Sequence, residues 1–203
     1  GKCSFGYVYV IRNQCRTKFL FNLTHELSHL MSFYLLQLTR IPNGCEFLEK
    51  SGFISWGSHL DDYIGLNEAV TELFAKVVRQ GMAPDLEMLA MDEKKELMIL
   101  TDYVPQFIFL EQLLDFFPDR KKAADIMFTS YISGSRDFLD LIERSLPQYQ
   151  EALRWMPIHE NEFLTDLRKW AGPEMEKLVF RELVNNTGCG WKYQNMIKGG
   201  GYD

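Results

Sequence analysis

The motif His-Glu-x-x-His at residues 25–29, set within a largely apolar run, constrains this chain more than any other feature. Four residues of an α-helix advance about 400°, so His25 and His29 would project from one face within about 40° of each other. Two imidazoles at that spacing can share a metal ion, and the carboxylate of Glu26 would lie beside a water on that ion. The alternative, an unliganded core cluster, would carry the desolvation cost of three buried polar side chains.

The residues around the motif divide into two stripes. The periodicity predicts a helix over about residues 18–39 that stops before the turn sequence Ile-Pro-Asn-Gly at 41–44. One narrow polar stripe on an otherwise apolar helix predicts that the helix is mostly buried and holds its ionisable groups at one cleft. The polar stripe comprises Asn22, His25, Glu26, His29 and Ser32, and the apolar stripe comprises Leu20, Leu23, Leu27, Leu30 and Tyr34.

Length and charge limit the remaining possibilities. The chain has 203 residues, of which 46% are hydrophobic, which is enough for one sizeable core, and no linker divides it. We therefore expect a single domain over residues 1–203. A net charge of −6 argues against a nucleic-acid partner. No uninterrupted apolar run reaches the roughly 18 residues of a membrane span, so none is expected.

The cysteines are scattered. Cys3, Cys15, Cys45 and Cys189 form no Cys-x-x-Cys pair, which favours neither a disulfide framework nor a cysteine zinc site and leans towards a cytoplasmic location. The chain begins at Gly1 rather than at Met, which we interpret as a trimmed start. The sequence leaves open whether an N-terminal segment has been removed.

The rest of the chain reads mainly as helices. β-branched and aromatic residues predict a strand over 4–12, and residues 45–65 read as irregular apart from a short strand at 52–56. A second helix over 67–80 should close with Gly81 at its C′ position. The tail from residue 187 should lack regular structure. Further helices are predicted at 85–100, 104–116, 120–132, 135–145, 147–155, 160–170 and 173–185, with core packing by Phe138, Leu139, Leu141, Ile142, Phe163, Leu164 and Leu167.

Two acidic residues on the second helix can supply what the first lacks. Glu68 and Glu72 lie one turn apart, opposite an apolar stripe. On a helix considered alone, such a pair is typical of a solvated face. Beside two neutral histidines, one carboxylate completes a three-ligand zinc site with a fourth position left for water. The apolar stripe comprises Leu66, Ala69, Val70, Leu73 and Val77.

At this point the chain resembles the gluzincin metallopeptidases, in which a His-Glu-x-x-His helix gives two ligands and a downstream helix gives a Glu. Its segment Asn-Glu-Ala-Val-Thr-Glu at 67–72 is similar to the corresponding segment of thermolysin-like enzymes. The resemblance implies that Zn²⁺ is bound by His25, His29 and Glu68, and that Glu72 hydrogen-bonds a ligand histidine. The exchange of roles between Glu68 and Glu72 stays open. The implied architecture is predominantly α (α+β): a single zincin-like metallopeptidase domain with a small N-terminal strand region, an active-site helix and a helical C-terminal lobe.

The activity implied is zinc-dependent hydrolysis of a peptide or protein substrate. Glu26 would act as the general base towards a metal-activated water. A side chain should also stabilise the oxyanion, and we choose His59, because its loop leads into the second helix, over Tyr63, Tyr131 and His159. The alternative is a catalytically inactive or regulatory zinc-binding helical module.

Overall fold

A computed structural model of the chain describes residues 2–4, 7–9, 15–32, 34–56, 62–99 and 102–186. The fold is predominantly helical, as the sequence predicts, with short strands before and after the first helix. Short 3₁₀ turns lie at Ala83–Asp85 and Pro147–Tyr149. The strands are β1 (Lys2–Ser4), β2 (Tyr7–Tyr9), β3 (Tyr34–Ile41), β4 (Gly44–Ser51) and β5 (Ile54–Trp56). The helices are α1 (Arg16–Met31), α2 (Ile64–Met82), α3 (Met91–Ile99), α4 (Val104–Asp115), α5 (Arg120–Ser133), α6 (Asp137–Ser145), α7 (Gln150–Arg154) and α8 (Glu160–Asn186).

The N-terminal strand region is a pair of strands rather than the single strand predicted over 4–12. β1 and β2 pair antiparallel, with Ser4 opposite Tyr7. The end of the predicted strand, residues 10–12, lies outside the described residues. The β-branched and aromatic content identified the conformation correctly, but propensity carries no information on where a strand turns back.

Helix α1 is shorter than predicted, and the difference changes the fold around it. Ser32 ends the helix in an extended conformation, and its hydroxyl donates to the carbonyl of His29 at 2.7 Å. The following residues, expected to continue the helix to 39, form β3 and pair with β4. Ile41 lies opposite Gly44, so Pro42 and Asn43 form a two-residue hairpin loop. The turn was predicted correctly, but the strand pairing that follows from it was not.

The three strands form an antiparallel sheet of order β3-β4-β5, so residues 45–51, predicted to be irregular, belong to a strand. β5 confirms the last three residues of the short strand predicted over 52–56, and residues 57–61 lie outside the described residues. The turn between β4 and β5 is fixed against α2, because the backbone N–H of Phe53 donates to Oδ1 of Asn67 at 3.1 Å. Gly52 adopts a left-handed conformation with φ of 56°, and a Cβ there would lie 2.3 Å from the same Asn67 oxygen. Only glycine allows this approach of the turn to the helix.

The buried face of α1 is the opposite of the one expected. Leu27 and Leu30 of the apolar stripe are 43% and 41% exposed, whereas His25 and Glu26 of the polar stripe are buried. The prediction that this helix is mostly buried is therefore wrong for Leu27 and Leu30, because the inner face of α1 packs on polar side chains of α2. Phe21 is the buried apolar side chain of α1. It belongs to a small hydrophobic cluster, separate from the main core, with Ala83 of the first 3₁₀ turn, Leu89, and Leu97 of α3.

Helix α2 extends beyond the predicted 67–80 at both ends. Gly81 lies inside the helix and has no positive φ, so its predicted role as a C′ residue is wrong. The helix instead runs into the 3₁₀ turn that contains Pro84. Leu66 and Val70 of its apolar stripe are fully buried, but Val77 is 54% exposed.

The main core lies within the helical lobe formed by α2 and α4–α8. The apolar residues predicted to pack there from α6 and α8 all belong to it, with Leu141 partly buried at its edge. The helix predicted over 85–100 begins later, at Met91, after a 3₁₀ turn. Gly172, with φ of 81°, interrupts α8 before Pro173 and confirms the two predicted segments. The tail predicted from residue 187 lies outside the described residues.

Within the described ranges, none of the helices has the length and apolar character needed to cross a bilayer.

Candidate metal centre

Helices α1 and α2 bring two histidines and one glutamate to a single point. Nε2 of His25 and Nε2 of His29 are 3.2 Å apart, and each lies 3.3 Å from Oε2 of Glu68. The histidines come from successive turns of α1, and Glu68 comes from the first half of α2, which packs across α1. The three atoms form a nearly equilateral triangle, and these residues could hold a metal ion.

The triangle has the size that a zinc ion requires. Zinc bonds to imidazole nitrogen and carboxylate oxygen are about 2.0–2.2 Å long, so two ligands of a tetrahedral ion lie about 3.3–3.5 Å apart. The two observed separations of 3.3 Å lie at the lower end of this range, and the third, 3.2 Å, lies just below it. Two imidazoles and one carboxylate are also a donor set that catalytic zinc sites use. The residues therefore fit zinc without rearrangement of either helix.

The other ring nitrogen of each histidine is held by α2. Nδ1 of His25 lies 3.0 Å from Oε2 of Glu72, and Nδ1 of His29 lies 3.3 Å from Oγ1 of Thr71. Thr71 donates its own hydroxyl proton to the carbonyl of Asn67 at 2.7 Å, which leaves its oxygen free to accept from the imidazole. A proton on each Nδ1 keeps the Nε2 lone pairs directed at the triangle, as metal ligation requires.

The charges of the cluster are strongly coupled. Burial lowers the pKa of His25, but hydrogen bonds to Glu68 and Glu72 outweigh it and raise the pKa from 6.5 to about 9. Burial would raise the pKa of Glu68, yet its hydrogen bonds to His25 and His29 bring the pKa down from 4.5 to about 2. In the metal-free protein a proton on His25 therefore compensates the Glu68 charge. Binding of a cation at neutral pH must displace that proton.

Two further ionisable side chains lie near the cluster. Glu26, between the two histidines, is buried. The hydroxyl of Tyr103, from the residue before α4, hydrogen-bonds the side chain of Glu68, and its ring centroid lies 5.8 Å from that of His25. Burial raises the pKa of Tyr103, and the charges of Glu68, Asp102 and Glu26 raise it further. Tyr103 therefore keeps its proton and can act as a hydrogen-bond donor, within electrostatic reach of Glu26.

Of the four side chains considered as oxyanion donors, the three in the described part of the chain do not converge on the triangle. His59, the chosen candidate, lies outside the described residues. The hydroxyl of Tyr131 is 2.6 Å from Oγ1 of Thr71 and 3.3 Å from the carbonyl oxygen of Ser28, so it lies behind the ring of His29. Tyr63 directly precedes α2, and its charged neighbours are Asp62, Arg136, Glu151 and Arg154 rather than members of the triangle. His159 is exposed before α8.

The arrangement separates the two acidic residues that the sequence left interchangeable. Glu68 approaches the Nε2 atoms of both histidines, whereas Glu72 contacts Nδ1 of His25 and is fully buried. The reading of either residue as a solvated surface acid is wrong. This geometry favours Glu68 as the ligand and Glu72 as the residue that orients His25.

Sequence reasoning missed two residues of the site. Thr71 lies inside the Asn-Glu-Ala-Val-Thr-Glu segment, three residues after Glu68, so its place on the same helix face was readable from the spacing. Tyr103 offered no comparable signal. It stands alone before the Val-Pro start of a helix, and only the packing of α4 against α2 brings it to the triangle.

Comparisons of the chain with protein-family models, with curated proteins and with solved structures gave no significant match. The geometry of the cluster and its hydrogen bonds thus carry the functional argument.

Proposed function

We propose that the chain is a zinc-dependent metallopeptidase whose active site lies between α1 and α2 in a zincin-like arrangement. The observation that carries the proposal is the triangle of His25 Nε2, His29 Nε2 and Glu68 Oε2, with sides of 3.2–3.3 Å. The hydrogen-bond partners of the two Nδ1 atoms, Glu72 for His25 and Thr71 for His29, also support the proposal. Ligand histidines of metal sites are usually oriented by such partners. The buried Glu26 beside the same helix face provides the acid–base group.

His25, His29 and Glu68 would hold the ion. Bound zinc would supply Lewis acidity, which would polarise a peptide carbonyl and lower the pKa of a water molecule to about 7. Glu26 would accept the proton of the attacking water and pass it to the leaving amine. Tyr103, rather than His59, would donate its hydroxyl to the carbonyl oxygen as negative charge develops there. Glu72 and Thr71 would keep the imidazoles in the required tautomer.

Metal content is the first test. We expect elemental analysis of the purified protein, prepared without chelators, to give about one zinc per chain. Glu68→Gln should lose most of this zinc, because an amide oxygen is neutral and the ion would lose its only anionic ligand. Glu87→Gln, which alters an exposed carboxylate outside the cluster, serves as the matched control and should retain zinc. A wild-type protein that takes up no zinc would refute the proposal.

Hydrolysis is the second test. A quenched-fluorescence peptide library and an unfolded protein should be cleaved by the zinc-loaded wild type, and Glu26→Gln should reduce cleavage at least about 10²-fold. The variant should keep its zinc, because Glu26 is not a ligand in the proposed site. Identical purification of both proteins controls for contaminating proteases. Zinc uptake without any cleavage would favour the alternative, a catalytically inactive or regulatory zinc-binding helical module.

A further inference from the structure

A fully buried ion pair lies next to the candidate metal centre, and neither of its residues is one of the three candidate ligands. Glu72 and Arg79, seven residues apart on α2, are both 0% exposed, and Nη2 of Arg79 donates to Oε1 of Glu72 in a short contact. The other oxygen of Glu72 faces Nδ1 of His25 at 3.0 Å. Each oxygen of this carboxylate is therefore assigned to a different partner.

Arg79 also reaches across to α1. Its Nη1 donates to Oγ1 of Thr24 at 3.3 Å, and its guanidinium lies over the ring of Phe21, 4.4 Å from the centroid. Thr24 donates its own hydroxyl proton to the carbonyl of Phe21 at 2.8 Å, so its oxygen can accept from Arg79. Because Thr24 directly precedes His25, the contacts form a closed ring that runs from His25 through Glu72 and Arg79 back to Thr24.

We propose that Arg79 is a positioning residue for the metal centre, and that it acts through Glu72 and Thr24 to fix the His25 ring. The inference rests on the proposed zinc site for its functional meaning. Arg79 holds the Glu72 carboxylate in the one orientation that presents Oε2 to His25. Its second contact holds the backbone of α1 one residue before the ligand, so the position of the helix and the orientation of the ring are fixed by the same side chain.

The chemistry of the guanidinium suits this role. A carboxylate buried without a cation would suffer a large desolvation penalty, and Arg79 supplies the compensating positive charge. Its planar fork donates in two directions at once, to Glu72 and to Thr24. A lysine offers a single ammonium centre and cannot reproduce both directions together with the stacking on Phe21. The arrangement explains why a hydroxyl residue and an aromatic residue precede the first histidine on the inner face of α1.

The test compares zinc affinity and the state of the His25 ring in four variants. We expect Arg79→Met to weaken zinc binding about 10–100-fold, as is usual when a partner behind a metal ligand is lost, and Arg79→Lys about tenfold. Thr24→Val removes the acceptor at nearly constant shape and should weaken binding several-fold. Thr24→Ser keeps the hydroxyl and should bind as the wild type does.

The second readout needs neither zinc nor activity. Long-range ¹H–¹⁵N spectra of the metal-free protein, labelled at histidine, should show a protonated Nδ1 on His25, and this signal should shift or broaden in Arg79→Lys and Thr24→Val but not in Thr24→Ser. Folded Arg79→Lys and Thr24→Val proteins with unchanged zinc affinity and an unchanged ring signal would overturn the inference. If the Arg79 variants unfold, the two Thr24 variants decide it. If the wild type binds no zinc, the proposed function fails, and the ring signal alone still decides the role of Arg79.

Discussion

Raising the pH of the zinc-free protein should lower its free energy of unfolding at pH values below those at which lysines and tyrosines ordinarily titrate. His25 has a folded-state pKa of about 9, against 6.5 for the free side chain, because of its contacts with Glu68 and Glu72. A group whose pKa is raised by folding stabilises the folded state fully below the lower value and loses that contribution as pH passes the higher one. The stabilisation from His25 should therefore be present below about pH 6.5 and disappear by about pH 9.

The size of this effect follows from the two pKa values. A tenfold change in proton affinity is worth about 1.4 kcal/mol, so the change from 6.5 to about 9 corresponds to about 3 kcal/mol. The lowered pKa of Glu68 reports the same contact from the acid side, where stability is lost as pH falls from 4.5 to about 2, and it is not counted again. For a chain of this length, a loss of about 3 kcal/mol lowers the Tm by roughly 6–12 °C.

Differential scanning calorimetry of the chelator-treated protein at about pH 6 and about pH 9.5 measures this loss of Tm. His25→Asn, which has no titrating ring, provides the baseline for all other groups, and the wild type should lose several degrees more than this variant does. Zinc should abolish the difference, because an imidazole bound to zinc through Nε2 no longer exchanges a proton there. Equal Tm losses in wild type and His25→Asn would refute the reasoning that the contacts with Glu68 and Glu72 stabilise protonated His25.

Two other predictions test the site and the fold. Tyr103→Phe should lower kcat about 10²-fold with little change in zinc content, because the hydroxyl is assigned to charge that develops during the reaction; an unchanged kcat measured on a cleaved peptide would remove Tyr103 from the mechanism. Phe21→Ala should cost about 3 kcal/mol in urea unfolding, whereas Leu27→Ala should stay within about 1 kcal/mol, because the first side chain is buried and the second is 43% exposed. Equal losses would contradict the observed orientation of α1.

The sequence was sufficient to assemble the candidate ligand set because the information is local. The two histidines lie about one helical turn apart, and the spacing on the second helix places Glu68 and Glu72 on its polar face. The resemblance to the gluzincins then selected Glu68 of the two. If the two helices pack through their polar faces, the two histidines and the glutamate come together. The break at Gly172 was equally local, since Gly-Pro has few conformations compatible with a continuous helix.

The errors arise where distant parts of the chain decide the outcome. Residues after Ser32 keep an apolar pattern that suits a helix, but pairing with Gly44–Ser51 converts them to a strand. Such pairing depends on a partner that propensity does not see. Tyr103 approaches Glu68 because α4 packs in the helical lobe, and no spacing within the sequence encodes that approach.

The inverted orientation of α1 has a physical reason that also bears on function. A periodicity of polar and apolar residues defines two faces, but which face is buried depends on what the neighbouring element offers. The polar side chains of α2 contact the histidine face of α1, and Leu27 and Leu30 remain exposed. The contacts come from Glu68, Thr71, Glu72 and Arg79. Among the described residues, the main core contains no side chain of α1. Burying ionisable groups in this way stabilises a fold less than apolar packing would, even when every charge has a partner. Departures from ordinary packing rules are expected at functional sites, and the α1–α2 interface is where this chain departs from them most.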